Sequence, residues 1–158
     1  MDKETSTIVL VLVTILLVFL AIQPMIPSNA EKFSELGVLG SNQEISNYPT
    51  NIVAGQTFLL YGYVGNHEGQ VAYYTVMVKL GTATTDVGNS TSAAAPLISS
   101  YSHVLDNNQS WTFPIEMSIN TTGTNMKLIF ELWMYNTTSA NFEYTGLWNQ
   151  LYINVTKT

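Results

Sequence analysis

The chain has no cysteine and no arginine, and charged side chains make up only 10% of its 158 residues, against roughly 25% in ordinary globular chains. Each absence excludes something. Without cysteine there is no thiol catalysis, no Cys-ligated zinc and no disulfide, so a domain outside the cell must hold together by its core alone. The five cations are all lysines (Lys3, Lys32, Lys79, Lys127, Lys157), scattered along a chain of net charge −6. Nucleic-acid binding needs clustered Lys and Arg to neutralise phosphates, and this pattern argues against it. His67 and His103 are the two histidines, without the three or four convergent ligands of a zinc site. The acids are equally dispersed. Glu116 and Glu131 are expected on neighbouring strands at outward positions, where a glycosidase carboxylate pair would need a cleft around them. Asp86 and Asp106 lack the dense spacing of a calcium loop. The chain therefore reads as non-catalytic, with no metal and no cofactor.

What is present is apolar and uncharged-polar. Hydrophobic residues make up 46% and aromatics 11%, which excludes a disordered composition and leaves Ser, Thr, Asn and Gln to form the surface. With few carboxylates to protonate, the fold is expected to tolerate acid.

The N-terminus holds the longest apolar run, Ile8 to Ile22, interrupted only by Thr14 and followed by Pro24 and Pro27. A helix crossing hydrocarbon needs about 20 mostly apolar residues; residues 5–26 supply them, and the prolines would end the helix at the interface. Residues 1–27 thus read as a transmembrane anchor and 28–158 as the domain that it displays. A cleaved signal peptide is the rival, since Ser28-Asn29-Ala30 is an acceptable cleavage site. Either way the domain lies outside the cell, with the lipid bilayer as the helix's partner.

After residue 35 strict alternation replaces helical periodicity. Trp111, Phe113, Ile115, Met117 and Ile119 share one face, and Thr112, Pro114, Glu116 and Ser118 the other, with Pro114 marking an edge or a bulge. Further strands are expected at 57–64, 71–80, 97–105, 126–135 and 147–155, with shorter ones near 32–39 and 51–54. Gly65 to Gly69 reads as a hairpin-like connection. Seven or eight short strands describe an all-β, Ig-like two-sheet sandwich. Five Asn-x-Ser/Thr sequons start at Asn89, Asn108, Asn120, Asn136 and Asn154. The first four fall in loops or turns, and Asn154 alternates with core positions so as to face solvent. All five are expected to be glycosylation sites.

Two strands carry large apolar residues on both faces. A sandwich covers only one of them, so Leu59, Tyr61, Tyr63, Trp133 and Tyr135 are expected to meet a partner chain, with Trp133 as its anchor.

Phe33-Ser34-Glu35-Leu36-Gly37-Val38-Leu39-Gly40, then Tyr48-Pro49-Thr50, Ala54-Gly55-Gln56 and Val64-Gly65-Asn66-His67-Glu68 carry a family resemblance. In that order they are similar to the archaeal domain-of-unknown-function 1616 family, over about residues 33–156. The resemblance implies a membrane-attached, extracytoplasmic sandwich of archaeal origin and no assigned activity. Longer members place several membrane helices before the domain, whereas one is expected here. The function expected is that of an accessory, protein-interacting subunit of a membrane or cell-envelope complex, with homo-oligomers allowed. The alternative is a structural subunit of an extracellular filament or envelope lattice, or an archaellum-stator-like anchor.

Overall fold

Phe113, Ile115, Met117 and Ile119 are buried, and Thr112, Pro114, Glu116 and Ser118 between them are exposed. The period-2 pattern is thus the alternation of a strand with one packed face. The computed structural model describes residues 2–22 and 31–157, and the chain divides into two compact units, residues 1–31 and 32–158. Pro24, Pro27 and the Ser28-Asn29-Ala30 cleavage site lie outside the described residues.

The second unit is built of β1 (Phe33–Leu39), β2 (Asn51–Val53), β3 (Thr57–His67), β4 (Ala72–Gly81), β5 (Leu97–Leu105), β6 (Gln109–Ser118), β7 (Gly123–Asn136) and β8 (Asn141–Thr156). A three-stranded sheet, β1-β3-β6, faces a five-stranded one, β2-β8-β7-β4-β5. Neighbours are antiparallel except β2, which runs parallel to β8. Leu60, Val64, Phe113 and Ile115 of the small sheet pack against Tyr74, Val76, Val78, Leu128, Phe130 and Leu132 of the large one. Gly62 lies opposite Phe113 across β3 and β6, and a Cβ there would run into the Phe113 ring; the glycine makes room for the aromatic. Pro114 sits on β6, an edge strand, where a missing N–H is tolerated.

Two expectations need correcting. Gly65 to Gly69 is not a hairpin: β3 runs on to His67, and β3 and β4 belong to different sheets, so the segment crosses between layers. Glu116 and Glu131 are not on neighbouring strands, because β6 and β7 also lie in different sheets.

In the first unit α1 (Lys3–Ile22) is a 20-residue helix. Ile8, Leu10, Ile15, Leu17 and Phe19 are all exposed, so its apolar side chains point outward all round. Thr14 Oγ1 donates to Leu10 O at 2.8 Å, satisfying its hydroxyl within the helix. Among the described residues no helix is long and apolar enough to cross a membrane.

Candidate functional site

A single acid stands in the apolar run Leu128 to Met134, and a single lysine in Val76 to Leu80. A charge inside a continuous apolar strand implies a partner, and the register supplies it. Glu131 is fully buried, and Lys79 Nζ lies 2.8 Å from its Oε2. The roof over this pair is the β4–β5 loop. Ala93 N–H donates to Glu131 Oε1 at 2.5 Å, and Lys79 Nζ donates to Ala93 O at 2.9 Å. Lys127 Nζ holds Thr85 O at 2.7 Å, Tyr144 OH holds Gly88 O at 3.0 Å, and Trp148 Nε1 donates to Asn89 Oδ1 at 3.2 Å. The loop also packs onto Gly146, where φ is +83° and a Cβ would strike the Asn89 carbonyl. Glu131 therefore faces outward from its sheet yet never reaches solvent. Burial first, then the Glu131 charge, pushes the Tyr144 hydroxyl up to about 12.

Trp133 belongs to the same cluster. Its Nε1 donates to Glu131 Oε2 at 3.1 Å, the Lys79 ammonium lies 5.7 Å from its ring, and Tyr144 is 5.6 Å away. The indole is half-buried and engaged within the domain. The five expected contact residues do not form one patch: Leu59, Tyr61 and Tyr63 lie on β3 and Trp133 and Tyr135 on β7, in different sheets. Tyr135 joins a row of aromatics on the large sheet, with Tyr73 at 6.2 Å and Phe142 at 5.4 Å.

The Asn-His-Glu segment closes one end of the sandwich. Asn66 is fully buried. Its Nδ2 donates to Gln70 O at 2.8 Å and Leu105 O at 2.9 Å, while its Oδ1 accepts from Glu68 N and from Tyr74 OH. Ser34 Oγ donates to Glu68 Oε1 at 2.6 Å and lies 2.8 Å from Tyr74 OH. Burial raises the Tyr74 pKa, opposed by the Ser34 hydrogen bond and aided by the Glu68 charge. His67 stacks on Phe33 at 4.6 Å, with Nε2 3.7 Å from Glu35 Oε2 and Nδ1 3.1 Å from Asn108 Oδ1. Tyr63 OH donates to the same Glu35 oxygen at 3.0 Å, and this bond is the main reason that the Tyr63 pKa is raised. His103, at the sheet edge, stacks on Trp111 at 4.8 Å. The other motifs are ties too. Tyr48 OH donates to Val38 O at 2.7 Å, Asn154 N donates to Thr50 O at 2.8 Å, and Gly55 N, in a φ +80° turn, donates to Ile119 O at 3.0 Å.

Of the sequons, Asn89, Asn108 and Asn120 are exposed, whereas Asn136 and Asn154 are half-buried. Asn154 does not simply face solvent: its Nδ2 donates to Asn51 Oδ1 at 3.1 Å and its Oδ1 accepts from Asn125 N at 2.9 Å. Asn136 Oδ1 accepts from Thr138 N at 2.8 Å, and its Nδ2 donates to Glu143 Oε2 at 2.9 Å. Among the described residues no three His, Asp or Glu side chains gather where a metal ion could sit. The sequence signal that was missed is the lone Lys79 and lone Glu131, each embedded in apolar neighbours.

A family model described as domain of unknown function (DUF1616) matches residues 27–156. No curated protein matches in sequence. Among solved structures the chain is similar to the CARDB domain of a Pyrococcus furiosus protein, determined in complex with di-metal ions. The identity is 9%, the TM-score 0.50, and the match covers 79% of this chain and 89% of that one; a likeness at this identity shows the fold alone. A β-glucosidase from Listeria innocua matches at 12% identity and TM-score 0.46, over 79% of this chain and 16% of that one. The sporulation control protein Spo0M of Bacillus subtilis matches at 9% identity and TM-score 0.43, over 77% of this chain and 49% of that one.

Proposed function

We propose, for a chain that belongs to the DUF1616 family, a non-catalytic interaction module held at an archaeal cell membrane by α1 and displayed outside it as a glycosylated Ig-like sandwich. One observation carries the reading. Around Lys79, Glu131 and Trp133 the outer face of the large sheet is roofed by the chain's own β4–β5 loop, but no such loop contact reaches the outer face of the small sheet among the hydrogen bonds of the described residues. Leu39, Leu59, Tyr61, Tyr63 and Pro114 meet there in register, with Leu39 opposite Tyr61 and Tyr61 opposite Pro114. An aromatic centre rimmed by Glu35, Glu116 and Thr112 has the composition of a protein-binding patch, in which tyrosine supplies area at low entropic cost.

The anchor reading rests on the sequence, where residues 5–26 supply the length that a span needs, and on the apolar side chains that α1 turns outward. Buried ties explain the Asn-His-Glu segment without chemistry, which favours a binding module over an enzyme. The filament alternative requires an N-terminal strand given to a neighbour. Here β1 is paired with β3 over seven positions in its own domain, which counts against it.

The test is purification of the full chain from its native membrane in mild detergent. A co-purifying membrane or envelope protein is expected, lost in Tyr61→Glu while the thermal midpoint of the domain stays put. Release of the chain without detergent, or a Tyr61→Glu variant that keeps every partner, overturns the reading.

A further inference from the structure

We propose that the glycan on Asn136 is a structural part of the domain, its first sugars lying on the ring faces of Tyr73 and Tyr135. The inference rests on the glycoprotein reading above and specifies which of the five sites is built to hold its sugar. Register places Val104 beside Tyr73 and Phe142 beside Tyr135, so four strands contribute one apolar row on the outer face of the large sheet. Phe142 meets Tyr73 edge-on at 5.0 Å and Tyr135 at 5.4 Å, fixing both tyrosines while Tyr73 remains 40% exposed. Beside the row lies a cleft of about 440 Å³ whose lining includes Tyr73, Tyr135, Gln70, Asn136 and Glu143. That volume falls among small-ligand clefts, roughly 300–1,000 Å³. Aromatic faces with amide and carboxylate groups at the rim suit a saccharide, whose C–H faces stack and whose hydroxyls need polar partners.

The occupant is named by the rim itself, because Asn136 opens the sequon Asn136-Thr137-Thr138. Its side chain is pre-set. Oδ1 accepts from the Thr138 and Ser139 amides at 2.8 and 3.4 Å, and Nδ2 donates to Glu143 Oε2 at 2.9 Å. Ser139 Oγ holds the other Glu143 oxygen at 2.7 Å. Attachment keeps these contacts. The Nδ2 nitrogen bonds C1 of the first sugar, the C1–O bond to the phosphate of a polyprenyl-phosphate-linked sugar donor breaks with its electron pair leaving on oxygen, and one amide proton is lost to base. The second N–H remains for Glu143, and Oδ1 is untouched.

Thr138→Ala abolishes the sequon while sparing the backbone amide that Asn136 uses. In native-host protein this variant is expected to lower Tm by about 2–5 °C, the scale of one aromatic contact in a domain of this size. Thr122→Ala, which removes the Asn120 site, is expected to leave Tm unchanged. In a Tyr73→Leu background, which keeps an apolar side chain but removes the ring, the Thr138→Ala effect should vanish. The same Thr138→Ala pair made in a bacterial host without N-glycosylation should show no difference. A glycosylated Asn136 whose loss leaves Tm unchanged overturns the inference, as does a loss that persists in Tyr73→Leu or in unglycosylated protein. An unmodified Asn136 beside other occupied sequons overturns it and leaves the glycoprotein reading standing. Five unmodified sites overturn both.

Discussion

Lys79 Nζ and Glu131 Oε2 sit 2.8 Å apart on adjacent strands, the carboxylate fully buried and both partners bound to Ala93 of the covering loop. Breaking a buried pair strands the remaining charge, at about 3–5 kcal/mol. Lys79→Met and Glu131→Gln are each expected to lose that much in denaturant unfolding. The double variant should lose less than the sum, because the amide oxygen that Glu131→Gln introduces still accepts from Ala93 N–H and no charge is left. Additive losses would show that the two residues act independently.

Trp133 is a second test of the same cluster. Trp133→Ala should destabilise the isolated domain by about 2–3 kcal/mol, somewhat below the 3–5 of a fully buried tryptophan. Trp133→Phe should cost about 1.5–3 kcal/mol, the worth of the N–H bond to a charged acceptor. Unfolding curves that match wild type for Trp133→Ala would return Trp133 to the partner surface.

Asn66, on the small sheet, ties Tyr74 and Leu105 of the large sheet to Glu68 and Gln70 of the link between β3 and β4, and has no exposure. Asn66→Ala leaves two carbonyls, an amide and a hydroxyl short of partners, and each orphaned buried group costs about 1–3 kcal/mol. Loss of cooperative unfolding, read by circular dichroism against temperature, is the expected outcome. His67→Ala, by contrast, removes a half-buried ring and should cost about 1 kcal/mol or less.

Stability should bend with pH at both ends, with opposite signs. The Tyr144 pKa is raised to about 12, so its contribution is complete below the unfolded value near 10 and is lost as pH rises toward 12. Tyr144→Phe should flatten that alkaline limb. The Glu143 pKa is lowered by hydrogen bonds from Asn136 and Ser139; its contribution is present above the usual carboxylate range and fades as pH falls through the folded value. With so few carboxylates, the β signal should otherwise persist to about pH 2, and a cooperative loss near pH 4 would refute this.

The strands are legible because alternation is local. Phe113 to Ile119 read as one buried face from neighbours two residues apart, and the strand expected at 97–105 matches β5 to the residue. Boundaries slip where a local signal is interrupted: β8 begins at Asn141, not Leu147, because the shift of register between Glu131 and Trp133 absorbs a bulge around Gly146. Layer assignment is not legible, since a short Gly-flanked link reads alike whether it turns a hairpin or crosses between sheets. The order and composition of the residues by themselves determined an all-β, disulfide-free domain with a sparsely charged surface and one long apolar segment ahead of it. Only the tertiary structure decided what covers each outer face. A pattern of period 2 tells which way Glu131 and Trp133 point, but the loop that roofs them comes from residues about 40 positions away, and no local spacing encodes that contact.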